Sequence, residues 1–288
     1  LSLLAMTVTS FAASEAEYGK VSKAWTLHAD GSQEYRSSME LTLFTHTAMN
    51  STYGESFIVY NPDFQTLKIH SSYTRQKDGT IVKTPDNAFV EVLPRFAADA
   101  PAYNQLKEMV VVHTGLELGA TIYLDYSIIT KPGYYPALDI NERLQETSPV
   151  KECKVSISVP EGTPLACGLY GSPVKAVEES HDGIKEVHWT LRNIPASSRE
   201  AFQPKNREAS PHLVASTYPS GKAALATLDK RLKESQGYES KTFAQFLTDK
   251  SGNEQEKVNI IRDHILNNLS TCPIPCLLYT SPSPRDRG

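Results

Sequence analysis

The chain is expected to be mainly β: an antiparallel β-sandwich-like domain followed by a short α-helical segment. Three observations lead there. Apolar residues recur with a period of two from about Val21 to Leu191, Asp-Gly pairs separate the strand-like runs, and helical periodicity appears only after Ile194-Pro195. A period of two makes one face of a strand apolar and the other polar, which suits strands half buried in a sandwich. Asp-Gly readily supplies the positive φ angles of hairpin turns.

The opening stretch, Leu1 to Ser10, is apolar, and small residues follow at Ala12 and Ala13. Residues 1–13 therefore read as part of a signal peptide, the alternative being a first buried strand or helix. The acidic run Ser14-Glu15-Ala16-Glu17 breaks the apolar pattern and favours export. No run approaches the roughly 20 apolar residues that a spanning helix needs.

Strands follow in order. Tyr35, Ser37, Met39, Leu41 and Leu43 alternate with Arg36, Ser38, Glu40 and Thr42. Ile122, Leu124, Tyr126 and Ile128 repeat the pattern, as do Cys153, Val155, Ile157 and Val159. Asp30-Gly31, Asp78-Gly79 and Asp182-Gly183 are the expected turns. Residues 201–220 are polar, punctuated by Pro204, Pro211 and Pro219, and are expected to form a linker.

Helices are expected next. Leu225, Leu228 and Leu232 share one face of the first, and residues 240–247 form a shorter second. The third starts at Asn253, a suitable cap, has Glu254 and Glu256 in its first turn, and sets Val258, Ile261, Ile265 and Leu269 on one stripe. That stripe has no obvious partner in the chain. Residues 276–288, Cys276 to Gly288, read as a translated sequencing-library adapter and are set aside from fold reasoning.

The formal charge is −4, with 40% hydrophobic and 22% charged residues and no Lys/Arg-rich run. Nucleic acid and anionic membrane surfaces are therefore excluded as expected partners. No cofactor or metal is expected, because no phosphate loop, dinucleotide fingerprint, nucleophile elbow or metal-ligand spacing occurs.

His113 and Glu117 stand at i and i+4, but they lie on a strand running into a turn at Gly115 to Gly119, where helical spacing does not apply. With Asp78, Gly79 and Gly119 they are expected to be structural: Glu117 accepting turn amides, His113 pinning the adjacent loop. His181 and His188 bracket another hairpin and are too few for a ligand set. Cys153 and Cys167 either pair or remain thiols, Cys153 on the apolar face of its strand. Cys272 follows a helix C-terminus, where the dipole raises a thiol pKa, so no catalytic residue is assigned. Tyr134 and Tyr135 after Pro132-Gly133, with Tyr53, Tyr60 and Tyr103, are either core-edge residues or a sugar- or peptide-binding platform.

The run Tyr73-Thr74-Arg75-Gln76-Lys77-Asp78-Gly79-Thr80-Ile81-Val82, Phe89 to Pro94, Ala100-Pro101-Ala102-Tyr103, and the string Glu108 to Ile122 resemble the domain of unknown function 3857 family. The likeness covers most of residues 18–200. It implies a β domain, residues 14–200, of no agreed activity, preceding a transglutaminase-like domain in exported bacterial proteins, with the periplasm or cell surface of a Gram-negative bacterium as the expected location. Residues 221–275 then look like the helical beginning of that second domain. The nucleophilic Cys and its His and Asp, which such a fold uses for acyl transfer, would lie further on.

The function these features imply is that of a non-catalytic accessory module. Its partner is its own transglutaminase-like domain, and an envelope protein or glycan is a further one. The alternatives are a piece of a cysteine-dependent peptidase or transglutaminase, and a carbohydrate- or peptide-binding sandwich.

Overall fold

The computed structural model describes residues 14–95, 105–197, 210–235 and 237–268. The signal-peptide, Tyr103, Cys272 and adapter-tail expectations lie outside them. The described chain is mainly β, with fourteen strands among the described residues.

Eight strands form one large sheet. They are β1 (Ala16–Leu27), β2 (Gln33–Leu43), β4 (Gln65–Arg75), β5 (Ile81–Lys83), β8 (Thr121–Thr130), β10 (Val150–Pro160), β12 (Val177–His181) and β13 (Ile184–Ile194). Their order across the sheet is β12-β13-β10-β1-β2-β8-β4-β5. Two three-stranded sheets complete the fold. One joins β3 (Glu55–Tyr60), β7 (Lys107–Val112) and β6 (Phe89–Val92); the other joins β11 (Ala166–Tyr170), β14 (His212–Ser216) and β9 (Asp139–Arg143).

The strand assignments follow from side-chain alternation. On β10, Cys153, Val155, Ile157 and Val159 are at most 1% exposed while Lys151 and Lys154 face solvent. Burial of such side chains stabilises by roughly 1.5–3 kcal/mol each. Both small sheets cover the same apolar face of the large one. The β9-β14-β11 sheet packs over β1, β10 and β13, around Ile157, Val187, Leu213 and Ala215. The β3-β7-β6 sheet packs over β4 and β8, around Ile58, Val111 and Leu124. A seam is left between them above β1, β2 and β8.

Pairing is antiparallel throughout except between β1 and β10, which run parallel in register Tyr18↔Val150 to Thr26↔Ser158. Alternation reveals which face is buried but says nothing of strand direction. The polar stretch 201–220, expected as a linker, contains β14, the central strand of its sheet, with Leu213 and Ala215 at most 2% exposed. Two buried residues between prolines are too short a pattern to register as a strand. Of the Asp-Gly turns, Asp182-Gly183 closes a two-residue hairpin with both φ angles positive, while Asp30 and Asp78 head longer loops.

Three helices follow: α1 (Gly221–Ser235), α2 (Tyr238–Thr248) and α3 (Glu254–Asn268). Asn253 Oδ1 accepts the Glu256 amide at 2.9 Å, and Glu256 Oε2 accepts the Gly252 amide at 3.0 Å, so the N-terminus of α3 is capped from both directions. None of the described helices is long and apolar enough to cross a membrane.

Candidate functional site: an aromatic groove over the sheet seam

The seam holds a groove of about 600 Å³. Its floor consists of inward-facing residues on adjacent strands: Trp25 on β1, Tyr35 on β2 and Ile128 on β8. Trp25 pairs directly with Tyr35, and their rings lie 5.2 Å apart at 36°. Tyr126, also on β8, meets Tyr35 edge-on at 6.3 Å. Tyr60 at the end of β3 and Leu106 form one wall; Tyr135 and Tyr218 form the other. Burial pushes the Tyr135 phenol up to about 12. Burial and then a hydrogen bond to Glu91 hold Tyr60 at about 12, so both remain neutral donors at ordinary pH.

Along the same strands the groove passes Tyr35 into a second hollow of about 350 Å³ lined by Tyr18, Lys23, Tyr53 and Glu146. Lys23 sits where alternation calls for an apolar residue, between Val21 and Trp25 on the inner face of β1. Its side chain is 11% exposed, and its Nζ lies 2.6 Å from Glu142 Oε1 and 3.1 Å from Glu146 Oε1. Burial alone would lower the ammonium pKa, but Glu146 and Glu142 outweigh it and shift it upward. Lys23 uses one oxygen of each carboxylate, and the glutamates keep 32% and 28% of their side-chain surface exposed. Tyr53 is fixed beside them, its hydroxyl 2.6 Å from Ser148 Oγ and 2.7 Å from Thr147 Oγ1.

The two tyrosines singled out from the sequence part company. Tyr134 is 4% exposed, stacks on Phe64 at 4.5 Å and lies 3.3 Å from Asn61 Nδ2, so it belongs to the interior and offers no platform. Tyr135 reaches the groove. The two rings meet at 4.7 Å, tilted by 47°, so Tyr135 lines the groove with Tyr134 packed behind it.

The motif residues assemble elsewhere, around the β4–β5 hairpin. Asp78 Oδ1 accepts the Thr80 amide at 2.8 Å, an interaction that lowers the Asp78 pKa, and Gly79 has φ +92°. Glu117 Oε1 accepts the Lys77 amide at 2.7 Å across from that hairpin, and the Gly119 amide donates to the Leu43 carbonyl at 2.7 Å. His113 is 5% exposed, with Nε2 2.8 Å from Ser56 Oγ and Nδ1 without a hydrogen-bond partner among the described residues. Desolvation drops its pKa to about 4, so it is neutral.

Cys153 and Cys167 are free thiols on strands of different sheets. Burial raises Cys153 to about 11 and shifts Cys167 in the same direction, away from the thiolate a nucleophile requires. Among the described residues, no group of three or more His, Cys, Asp or Glu is placed to hold a metal ion.

Sequence reasoning missed Lys23, Trp25, Tyr35 and Tyr218. For Lys23 the signal was available: a lysine at an inward position of an otherwise apolar strand face demands buried counter-charges. Tyr218 lies in the stretch expected to be a linker.

Together the sheets and the seam define a three-sheet β-sandwich module with an elongated aromatic groove. The chain belongs to the family described as Domain of Unknown Function with solved-structure structure (DUF3857), whose pattern matches residues 29–198. It is similar, at 98% identity and a TM-score of 0.88, to the crystal structure of a protein named a "putative protease" from Parabacteroides distasonis ATCC 8503. That similarity covers 92% of this chain and 52% of the other, so the chain spans about half the length of that protein. An M1 zinc metallopeptidase from Deinococcus radiodurans matches at 10% identity and a TM-score of 0.32, over 69% of this chain and 42% of that one, and carries no argument. No curated protein matches the chain.

Proposed function

We propose that the β-sandwich is the non-catalytic interaction module of a longer, exported, protease-type protein, and that it holds polypeptide for a transglutaminase-like domain whose first helices are α1 to α3. The observation that carries this reading is the 98% identity to a protein named a "putative protease" of which the chain spans only 52%. The chemistry of the described residues agrees with it. Both described thiols are pushed toward the neutral form, and His113 is buried, neutral and engaged with Ser56. A cysteine mechanism needs the opposite, a thiolate beside a basic imidazole. The groove over the seam is instead shaped for binding.

The test compares peptide hydrolysis by the longer protein and by this chain. This chain alone gives no turnover. In the longer protein, Cys153→Ala and Cys167→Ala each leave kcat within about twofold, because neither thiol is activated. Hydrolysis by the chain that disappears with either cysteine would overturn the reading. Export is checked by osmotic-shock fractionation, with the longer protein expected in the periplasmic or cell-surface fraction rather than the cytoplasm.

A further inference from the structure

We propose that the seam is a binding site for an extended polypeptide segment pairing a large apolar side chain, seated in the aromatic groove, with a basic side chain two residues along that reaches Glu146. The inference rests on the interaction-module reading only in calling the ligand a held polypeptide; the site itself is read from its geometry.

Size and lining come first. A cavity of about 600 Å³ bounded by Trp25, Tyr60, Tyr135 and Tyr218 lies within the range of real ligand sites and exceeds what one aliphatic side chain fills. The Trp25 and Tyr35 rings pack against each other with a 36° tilt, so together they make an angled floor instead of the flat platform on which a sugar ring stacks.

Charge comes second. The adjoining hollow is lined by Glu55 and Glu146 against one ammonium, Lys23, which leaves it with a net negative charge, and Lys23 is itself held by Glu146 and by Glu142, which lies outside the lining. Oε1 of Glu142 and of Glu146 is taken by Lys23, while both side chains remain about a third exposed. Tyr18 and Tyr53 line the hollow beside them.

Spacing comes third. The groove and hollow join at Tyr35 and follow the strand direction, from Trp25 in one to Lys23 in the other. Two residues of extended chain cover roughly 7 Å and bring side chains to the same face, so the ligand's apolar and basic residues fall at i and i+2.

The experiment is calorimetric titration of the purified chain with acetyl-Ala-Phe-Ala-Lys-Ala-amide, with Trp25 emission as a second readout. The peptide is expected to bind and to quench fluorescence that Trp25→Phe abolishes. Replacing its Lys by norleucine, or its Phe by Ala, is expected to weaken binding roughly tenfold, and Lys by Glu more. Glu146→Gln, which keeps the Lys23–Glu142 pair, is expected to remove most of the preference for Lys over norleucine while lowering the melting temperature less than Lys23→Met does. Tyr135→Ala is expected to weaken the Phe peptide and leave the Ala peptide nearly unaffected.

Equal affinity for the Lys and norleucine peptides overturns the proposal, as does absence of binding at millimolar peptide. Cadaverine binding as tightly as the peptide would assign the site to a small amine instead. A chito-oligosaccharide that quenches Trp25 where peptides do not would assign it to glycan. None of these measurements involves hydrolysis, so the groove assignment can fail while the interaction-module reading stands, and the reverse.

Discussion

Lys23 Nζ lies 2.6 Å from Glu142 Oε1, and that contact ties β1 of the large sheet to β9 of the small one across the interior. A charge so placed is retained only while its counter-charges are present. Lys23→Met leaves Glu142 and Glu146 without their cation and is expected to cost roughly 1–3 kcal/mol, below the range for fully buried pairs because both glutamates reach solvent. Urea unfolding measures it. The triple variant Lys23→Met, Glu142→Gln, Glu146→Gln is expected to recover most of the loss; a triple variant no better than the single one would show that Lys23 stabilises by packing alone.

His113 gives the fold a pH dependence of defined sign. Its pKa drops from 6.5 to about 4 on folding, so between those values the unfolded chain binds more protons than the folded one. The His113 contribution is complete above about pH 6.5 and is lost progressively as pH falls toward 4, by roughly 3 kcal/mol in all. Denaturation followed at pH 7.5, 6 and 5 is expected to show that slope, and His113→Gln, which can still meet Ser56, is expected to flatten it. An unchanged slope in the variant would place the acid sensitivity elsewhere.

Gly115 is the position in the β7–β8 turn least able to take a side chain. Its φ is +73°, and a Cβ there would stand 2.8 Å from the Cβ of Val82. Gly115→Ala is expected to destabilise by about 2 kcal/mol or more, from left-handed backbone strain and overpacking together. Thermal melting reads the change. Adding Val82→Ala is expected to return only a fraction of the loss, because it removes the two Cγ contacts while the Cβ contact at 2.8 Å and the backbone strain remain.

The helices are expected to open far more readily than the sandwich. Val258, Ile265 and Leu266 on α3 are 58%, 48% and 72% exposed, and α3 has no buried residue, whereas β10 and β13 line the main core. Hydrogen exchange should protect amides of β1, β10 and β13 by orders of magnitude more than those of α1 to α3. Leu266→Glu is expected to leave the melting of the chain within about 0.5 kcal/mol of its original stability. Equal protection in helices and strands would show that α3 has found a partner within the chain.

Most of the secondary structure was legible because local rules and burial agree. Cys153 to Val159 alternate without exception, and Asn253 with Glu256 announces the start of α3. What stayed hidden depends on long-range pairing. Leu213 and Ala215 become a strand only because β9 and β11 flank them, and the parallel alignment of β1 with β10 leaves no trace in either segment. The groove was half visible: Tyr135 was chosen for its type, but Trp25 meets Tyr35 through the register of β1 with β2, and Tyr218 joins them only when the second sheet packs over the first. Tyr134 shows the cost of choosing by type, since its ring is spent on Phe64.

The parallel pairing of β1 with β10 also sets the order in which the chain can be finished. Tyr18 meets Val150 across about 130 residues, so one edge of the central strand has no permanent neighbour until β10 has been synthesised. Such a closure is slow, and an unpaired central edge is a template for other strands in the meantime. Nascent chains stalled before Val150 should therefore be sticky and protease-sensitive, while those carried past Ile194 can complete the large sheet.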